Sequence, residues 1–224
     1  MIQVPWPVRL YSPRLVLRPL VTADHDAWTA GFTSRLPAQS RHDSGPHDAS
    51  QTPRPWFRKL CQRHRKLWRA DECYILAIFD RKTGRHYGHL DIYVIEREDR
   101  QWGNLGYAIH NTSQRRGLAT EACSVAIPWA FRALQLHRLE AVISPDNQPS
   151  LGVARKLGLE HEGMRKSFER VGSSWFDQAV YVAIAGRWRP PAPGPGVTAA
   201  HTGAVPERAN RDVHALGSTS RTRQ

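Results

Sequence analysis

Apolar residues recur along this chain at two different spacings, and the changes of spacing mark its elements. Residues 14–20, RLVLRPL, alternate polar and apolar and predict a first strand. The segment TADHDAWTAGF that follows predicts a helix with Thr22 or Asp24 as its cap. Trp56 to Ala70 is amphipathic at helical spacing. Trp56, Leu60, Leu67 and Trp68 share one face, and Arg58, Lys59, Arg63, Arg65, Lys66 and Arg69 cover the rest. Residues 74–95, YILAIFDRKTGRHYGHLDIYVI, predict a hairpin that turns at Gly84. NLGYAI predicts the next strand, and Gly117 to Leu134 a helix that Pro128 is expected to kink. RLEAVIS is a strand, and Pro149 to Leu157 a short helix stopped by Gly158. LEHEGMRKSFERV and SWFDQAVYVAIA read as a final pair of strands. This order implies an α+β fold, one sheet with helices packed on it.

Two stretches carry neither spacing. Residues 33–55 are rich in Pro, Ser, Asp and Gly and predict a long loop, a feature that is uncommon inside a domain and often functional. Beyond Trp188 the chain turns to Pro, Gly, Ala, Thr and Ser, which predicts a folded domain over 1–188 and a disordered, mildly basic tail over 189–224. With 224 residues, 40% hydrophobic and 23% charged, the composition is that of a soluble globular protein with a real core. No window approaches 18 consecutive apolar residues, and prolines interrupt the start where a signal peptide needs an apolar run. A cytoplasmic protein without a membrane partner is expected. Cys61, Cys73 and Cys123 are odd in number and far apart, so reduced thiols and no metal are expected, with Cys123 as a small core residue. The formal net charge of +12 implies either an anionic partner or solvated basic faces, because the basic residues are spread through the chain.

Two segments carry candidate chemistry. In GYAIHNTSQRRGLATEA, residues 106–122, two arginines and a glycine stand at the mouth of a helix. Helix starts favour Ser, Asp or Glu, because the first-turn N–H groups carry partial positive charge. Arg115 and Arg116 oppose that dipole unless an anion sits in the turn. Gly117 lets the backbone approach such an anion closely, and successive N–H groups can cradle it. The pattern is neither of the familiar glycine-rich nucleotide motifs. The second segment, SPDNQPSLGVARKLGLEHEG, residues 144–163, runs from a polar loop into a short helix, where Asn147 or Ser150 could serve as the cap.

Together these segments resemble the GNAT N-acetyltransferases. The family's acetyl-CoA loop reads Arg or Gln, two residues, Gly, one residue, then Gly or Ala, and here it is Gln114-Arg-Arg-Gly117-Leu-Ala119. Asn147-Gln-Pro-Ser150, Lys156-Leu-Gly158 and Glu162-Gly163 resemble the N-x-x-S, K-x-G-F and E-G signature of the Rim branch, whose RimJ and RimL members acetylate the N-termini of ribosomal proteins. RLVLRPL and WFDQAVYVAI resemble that branch's first and last strands, so the similarity covers about residues 10–188. It implies a central, mostly antiparallel mixed sheet with helices on both faces and a cofactor cleft between the two central strands.

It also implies acetyl-CoA as co-substrate and assigns Gln114, Arg115, Arg116, Gly117, Leu118, Ala119 and Thr120 to the pyrophosphate. Tyr107, Ala108 and Ile109 would lie along the pantetheine, their backbone N–H groups polarising the thioester carbonyl, with Asn147 contacting the same arm. The RimL pair of a Ser and a Glu nineteen residues later falls on Ser150, as acid or hydrogen-bond donor to the thiolate, and Glu169, as base. The Tyr that many members use as acid is replaced by Ala154, and the usual Phe by Leu159. His110, just after the central strand, is a substitute base or a structural residue. The implied acceptor is a protein N-terminus, ribosomal association included, on a monomer or homodimer. A small amine such as an antibiotic or polyamine, or a non-catalytic RNA- or ribosome-binding role, are the alternatives.

Overall fold

A computed structural model of the chain describes residues 4–190, so the tail expected over 189–224 lies almost wholly outside the described residues. Eight strands form one sheet among the described residues: β1 (Leu10–Tyr11), β2 (Leu15–Arg18), β3 (Cys73–Asp80), β4 (His86–Glu96), β5 (Trp102–Ile109), β6 (Arg138–Ile143), β7 (Glu160–Val171) and β8 (Ser174–Ile184). The helices are α1 (His25–Thr33), α2 (Arg54–Arg69), α3 (Leu118–Ala133) and α4 (Gln148–Lys156). The spatial order is β1-β2-β3-β4-β5-β6-β8-β7, antiparallel throughout except for the central β5–β6 pair. This is the α+β sheet that the alternation predicts, with helices on both faces.

The alternation along β3 explains the two layers. Tyr74, Leu76 and Ile78 point into a core with Leu118, Ala122 and Ile127 of α3 and Leu151 and Ala154 of α4. Ala77 and Phe79 point the other way, into a smaller core with Trp28 of α1 and Phe57 and Cys61 of α2. Each fully buried Leu or Ile in these layers contributes about 1.5–3 kcal/mol by leaving water.

Local departures from the sequence reading have physical causes. The buried stripe of α2 is Phe57, Cys61 and Trp68, while Trp56 remains 42% exposed. Its ring instead lies 5.8 Å from Trp28, covering the rim of the smaller core. Asp24 does not cap α1. Its carboxylate takes both Arg18 guanidinium nitrogens at 2.6 and 2.7 Å and the Val21 N–H at 2.8 Å, pinning α1 to β2. Helix α3 runs unbroken from Leu118 to Ala133 through Pro128. The three cysteines are free and buried, and Cys123 is a fully buried core residue as expected.

The feature that positions the site is the end of the β5–β6 pairing. The two strands pair only at Trp102↔Arg138, Gly103↔Leu139 and Asn104↔Glu140. Beyond that, β5 stays with β4 as far as Ile109 and β6 stays with β8 as far as Ile143. Their inner edges therefore separate into a fork with unpaired backbone groups, which need a partner. A bulge in β4 lies beside the diverging half of β5 and adds local twist. Gly88 makes it: its φ is +146°, and a Cβ there would lie 1.9 Å from the Ala108 carbonyl oxygen.

Candidate active site

The fork opens into a cavity of about 740 Å³. Its walls include Trp102, Asn104, Gly106 and Tyr107 from β5, Glu140 and Val142 from β6, and Asn147 and Ser150 at the start of α4. Phe168, Glu169 and Gln178 close it from the β7–β8 hairpin, and His42 from the long loop.

The start of α4 is built by Asn147. Its Oδ1 accepts the Ser150 N–H at 3.2 Å, a capping bond, and the Tyr107 hydroxyl donates to the Ser150 carbonyl at 3.3 Å. No protein partner holds the Ser150 hydroxyl among the described residues, which leaves it available to a ligand. Burial holds the Tyr107 phenol above its ordinary pKa, so it is a neutral donor.

Glu169 reaches the cavity from an irregular stretch of β7. Three residues, Lys166 to Phe168, stand opposite the single Asp177 of β8. Asp177 stabilises this bulge by accepting the Ser167 N–H at 2.9 Å and the Lys166 ammonium at 2.8 Å. Glu169 Oε2 accepts from the Gln178 amide at 2.6 Å, and the same nitrogen donates to Ser144 Oγ at 2.9 Å. Gln178 is 2% exposed, so it is a fixed buried bracket for the carboxylate.

At the other end of β5, the turn Asn111–Ser113 leads into α3. Gln114, Arg115, Arg116 and Gly117 are exposed at its mouth. Gly117 has φ +76°, and no side chain caps the helix. Glu121, the acid of the first turn, is already held by Arg14 at 2.6 Å and Ser12 at 2.7 Å. The uncapped N–H groups and the dipole, with the exposed Arg115 and Arg116 beside them, give this turn the chemistry to take an anion, and the Arg116 guanidinium also lies 5.4 Å from the Tyr87 ring. A diphosphate fits it: a Cβ at Gly117 would have Arg14 Nη2 at 3.7 Å as its nearest neighbour, so the approach is open. Leu118 is buried and reaches the turn only through its backbone, and Ile109 is likewise a core side chain.

The long loop is tied to both ends of the site. Asn111 accepts the Leu36 N–H and donates to its carbonyl, each at 2.8 Å, and also donates to Asp43. Farther out, Arg41 makes a two-point bond to Asp146 at 2.8 and 2.7 Å, and His42 adds a third contact at 3.0 Å.

His110 belongs to this scaffold and not to the chemistry. It is 2% exposed, and both ring nitrogens are used. Arg35 Nε donates to Nδ1 at 3.0 Å, so Nε2 carries the proton and donates to His86 Nδ1 at 3.0 Å. Burial lowers the pKa of His110 to about 2, with His86 and Arg35 as lesser contributors, and burial lowers that of His86 to about 3, with His89 and Arg35 as lesser contributors. Gly31 is required beside them, because a Cβ there would lie 2.6 Å from His110 Nε2.

The structure thus brings Tyr107, Asn147, Ser150 and Glu169 around one cavity and leaves Gln114 to Gly117 at the anion turn. The sequence reading did not single out Gln178 or Asp146. The signal for Gln178 was a polar residue on the inward phase of the apolar run AVYVAI.

Residues 14–160 match the acetyltransferase (GNAT) domain family. The chain is 30% identical over 127 residues to the probable N-acetyltransferase YjcK of Bacillus subtilis, covering 57% of this chain and 70% of that one. It is 28% identical over 188 residues to the ribosomal protein uS5 alanine N-acetyltransferase of Escherichia coli, covering 82% and 94%. Its fold is similar to that of Mycobacterium smegmatis RimJ in complex with CoA-disulfide, with a TM-score of 0.64 at 24% identity over 80% and 87% of the chains.

Proposed function

The chain belongs to the GNAT acetyltransferase family and is an acetyl-CoA-dependent N-acetyltransferase, and from that premise we propose that its acceptor is the N-terminal α-amino group of a protein, ribosomal proteins included. The observation that carries this reading is that Ser150 at the start of α4 and Glu169 on β7, nineteen residues apart in the chain, line the same cavity at the fork of β5 and β6. The similarity to an enzyme that acetylates a ribosomal protein supports it. The cavity walls support it too: Arg165, Arg170 and His42 stand among Glu140 and Glu169, a mixed lining ill suited to a polycation and suited to a peptide end.

Acetyl-CoA supplies an activated acyl group on a thioester. The protein's part is binding and proton handling. Gln114, Arg115, Arg116 and Gly117, with the backbone of Leu118, Ala119 and Thr120, hold the diphosphate. Asn147 and the Tyr107–Ile109 edge of β5 align the pantetheine, and backbone N–H groups of that edge stabilise negative charge on the carbonyl oxygen. Glu169 takes a proton from the attacking nitrogen, and the Ser150 hydroxyl donates to the departing sulfur. An α-amine with pKa near 7.8 is neutral roughly one time in seven at pH 7, against roughly one in 2,500 for lysine, so an N-terminus asks little of the base. We place this activity in the cytoplasm, where nascent and ribosomal N-termini are available.

The test is CoA release from acetyl-CoA, read with a thiol reagent, over peptides with varied N-termini and a panel of small amines. Turnover with peptides that is lost on pre-acetylation is the expected result. Turnover with small amines alone contradicts the proposed acceptor.

A further inference from the structure

Helix α2 carries a strongly charged face that the chemistry above does not use. It reads RPWFRKLCQRHRKLWR, with seven arginines and lysines and no carboxylate. Its apolar stripe, Phe57, Cys61 and Trp68, is buried in the protein. What remains outside is cationic: Arg58, Lys59, Arg63, Arg65, Lys66 and Arg69 are all exposed. Among the described residues none of these six forms an ion pair, and Arg54 alone of the seven is paired, to Asp26 at 2.7 Å. Elsewhere Arg14, Arg18, Arg97, Arg138 and Arg165 each hold a carboxylate. Exposed helices are steadied by acids interleaved with their cations. Here Lys59 and Arg63, and Arg65 and Arg69, stand four apart, and Arg63 and Lys66 three apart, so neighbours on the helix repel. A polyanion relieves that repulsion.

Four side chains of α2 form one row. Trp56, Lys59, Arg63 and Lys66 recur at i, i+3, i+7 and i+10, so they share a side of the helix over about 15 Å of its length. Trp56 packs on Trp28, with 5.8 Å between ring centroids, and is otherwise open to solvent. At the middle of the row, Arg63 lies within electrostatic reach of the Tyr93 phenol on β4. Tyr93 is exposed, and two residues on, on the same face of the strand, Ile95 belongs to the cavity wall. The row therefore runs on the cavity's side of the helix. A line of cations that begins at an exposed tryptophan matches single-stranded RNA, whose phosphates are continuous negative charge and whose unpaired bases stack on aromatic rings. Arg outnumbers Lys on the exposed face, and the guanidinium fork fits phosphate oxygens in pairs. A bilayer matches less well, because the helix has no apolar face left to insert.

We infer that α2 is a docking surface for single-stranded RNA, with Lys59, Arg63 and Lys66 on successive phosphates and Trp56 stacked on a base. The surface does not depend on which amine the enzyme acetylates. Where the acceptor is a protein N-terminus, RNA held on this row brings a protein bound to that RNA close to the fork, and this consequence alone rests on the reading above.

The test uses a fluorescein-labelled single-stranded RNA of mixed sequence, titrated with the full chain over a range of salt concentrations and read by anisotropy. Saturable binding that weakens steeply with salt is expected. Each single-strand phosphate neutralised contributes about 0.7 to the slope of log affinity against log salt, so the triple variant Lys59→Gln, Arg63→Gln, Lys66→Gln should lose about two from that slope and bind at least about tenfold more weakly. Trp56→Ala should weaken binding at least about fivefold with the slope unchanged, because it removes stacking and no charge. Both variants should keep the acetyl-CoA affinity of the parent chain, which shows that they fold. No binding of the RNA, binding equal to the parent's by either variant, or a labelled poly-glutamate bound as tightly as the RNA overturns the inference, the last in favour of an acidic protein. An enzyme that binds RNA through α2 and acetylates only small amines contradicts the acceptor proposed above and leaves this surface in place.

Discussion

Gly117 and Glu169 separate binding from turnover at the level of single residues. Gly117 combines φ +76° with a place at an uncapped helix start. Gly117→Glu imposes a strained backbone and sets a negative charge where the diphosphate should lie. Acetyl-CoA binding should weaken by at least about a hundredfold, roughly 3 kcal/mol, which calorimetry would show. Glu169→Gln keeps the shape of the cavity and the bracket from Gln178. It should lower kcat by about 10²-fold while leaving acetyl-CoA affinity intact, and full turnover in that variant would remove Glu169 from the mechanism. That Ser150 and Glu169 line one cavity agrees with the resemblance that paired them at a nineteen-residue spacing, and their catalytic roles rest on the proposal above.

The buried pair His86–His110 makes a prediction about acid. Both have folded pKa values depressed to about 3 and about 2, below the unfolded value near 6.5. The unfolded chain therefore binds more protons below pH 6.5. The stability these groups contribute is fully present above that pH and is lost progressively as pH falls from about 6.5 towards the folded values, below which the loss levels off. The slope is about 1.4 kcal/mol per pH unit for each histidine. The urea midpoint should drop steeply between pH 6.5 and 4.5, and a flat midpoint over that range would exclude the neutral histidine chain.

At the scale of elements, order was legible and orientation less so. The alternation in β3 and β4 and the helical spacing in α3 predicted their type and place, because burial of one face writes directly into the sequence. The buried stripe of α2 was misread because its rim tryptophan, Trp56, belongs to an aromatic patch with Trp28 and not to the helix's own core face. The fork was carried by resemblance alone: periodicity cannot say that β5 and β6 pair for three residues and then part. The long loop was expected to be functional, and its two attachments show how it bears on the site. Arg41→Ala should loosen the clasp on Asp146. Those side chains are 34% and 55% exposed, so the pair is worth at most about 1 kcal/mol. A rise in acceptor KM of about threefold with unchanged acetyl-CoA affinity is expected from steady-state kinetics. A change in acetyl-CoA affinity instead would place the loop's influence at the Asn111 end.

For the whole molecule, the charge of +12 is divided between roles. Arg115 and Arg116 stand at the anion turn, Arg35, Arg41 and Arg138 are engaged in internal contacts, and the cations of α2 form an exposed face. The bulk charge therefore does not by itself identify a partner. The central claim is that the fork delivers an acetyl group to an N-terminal nitrogen. It is tested most directly with one peptide that carries both a free N-terminus and an internal lysine, incubated with acetyl-CoA and the enzyme at pH 7. Fragmentation by mass spectrometry then locates the acetyl group. A single acetyl on the α-nitrogen is the predicted result, and an acetyl confined to the lysine, or no peptide product while small amines are acetylated, would contradict the account.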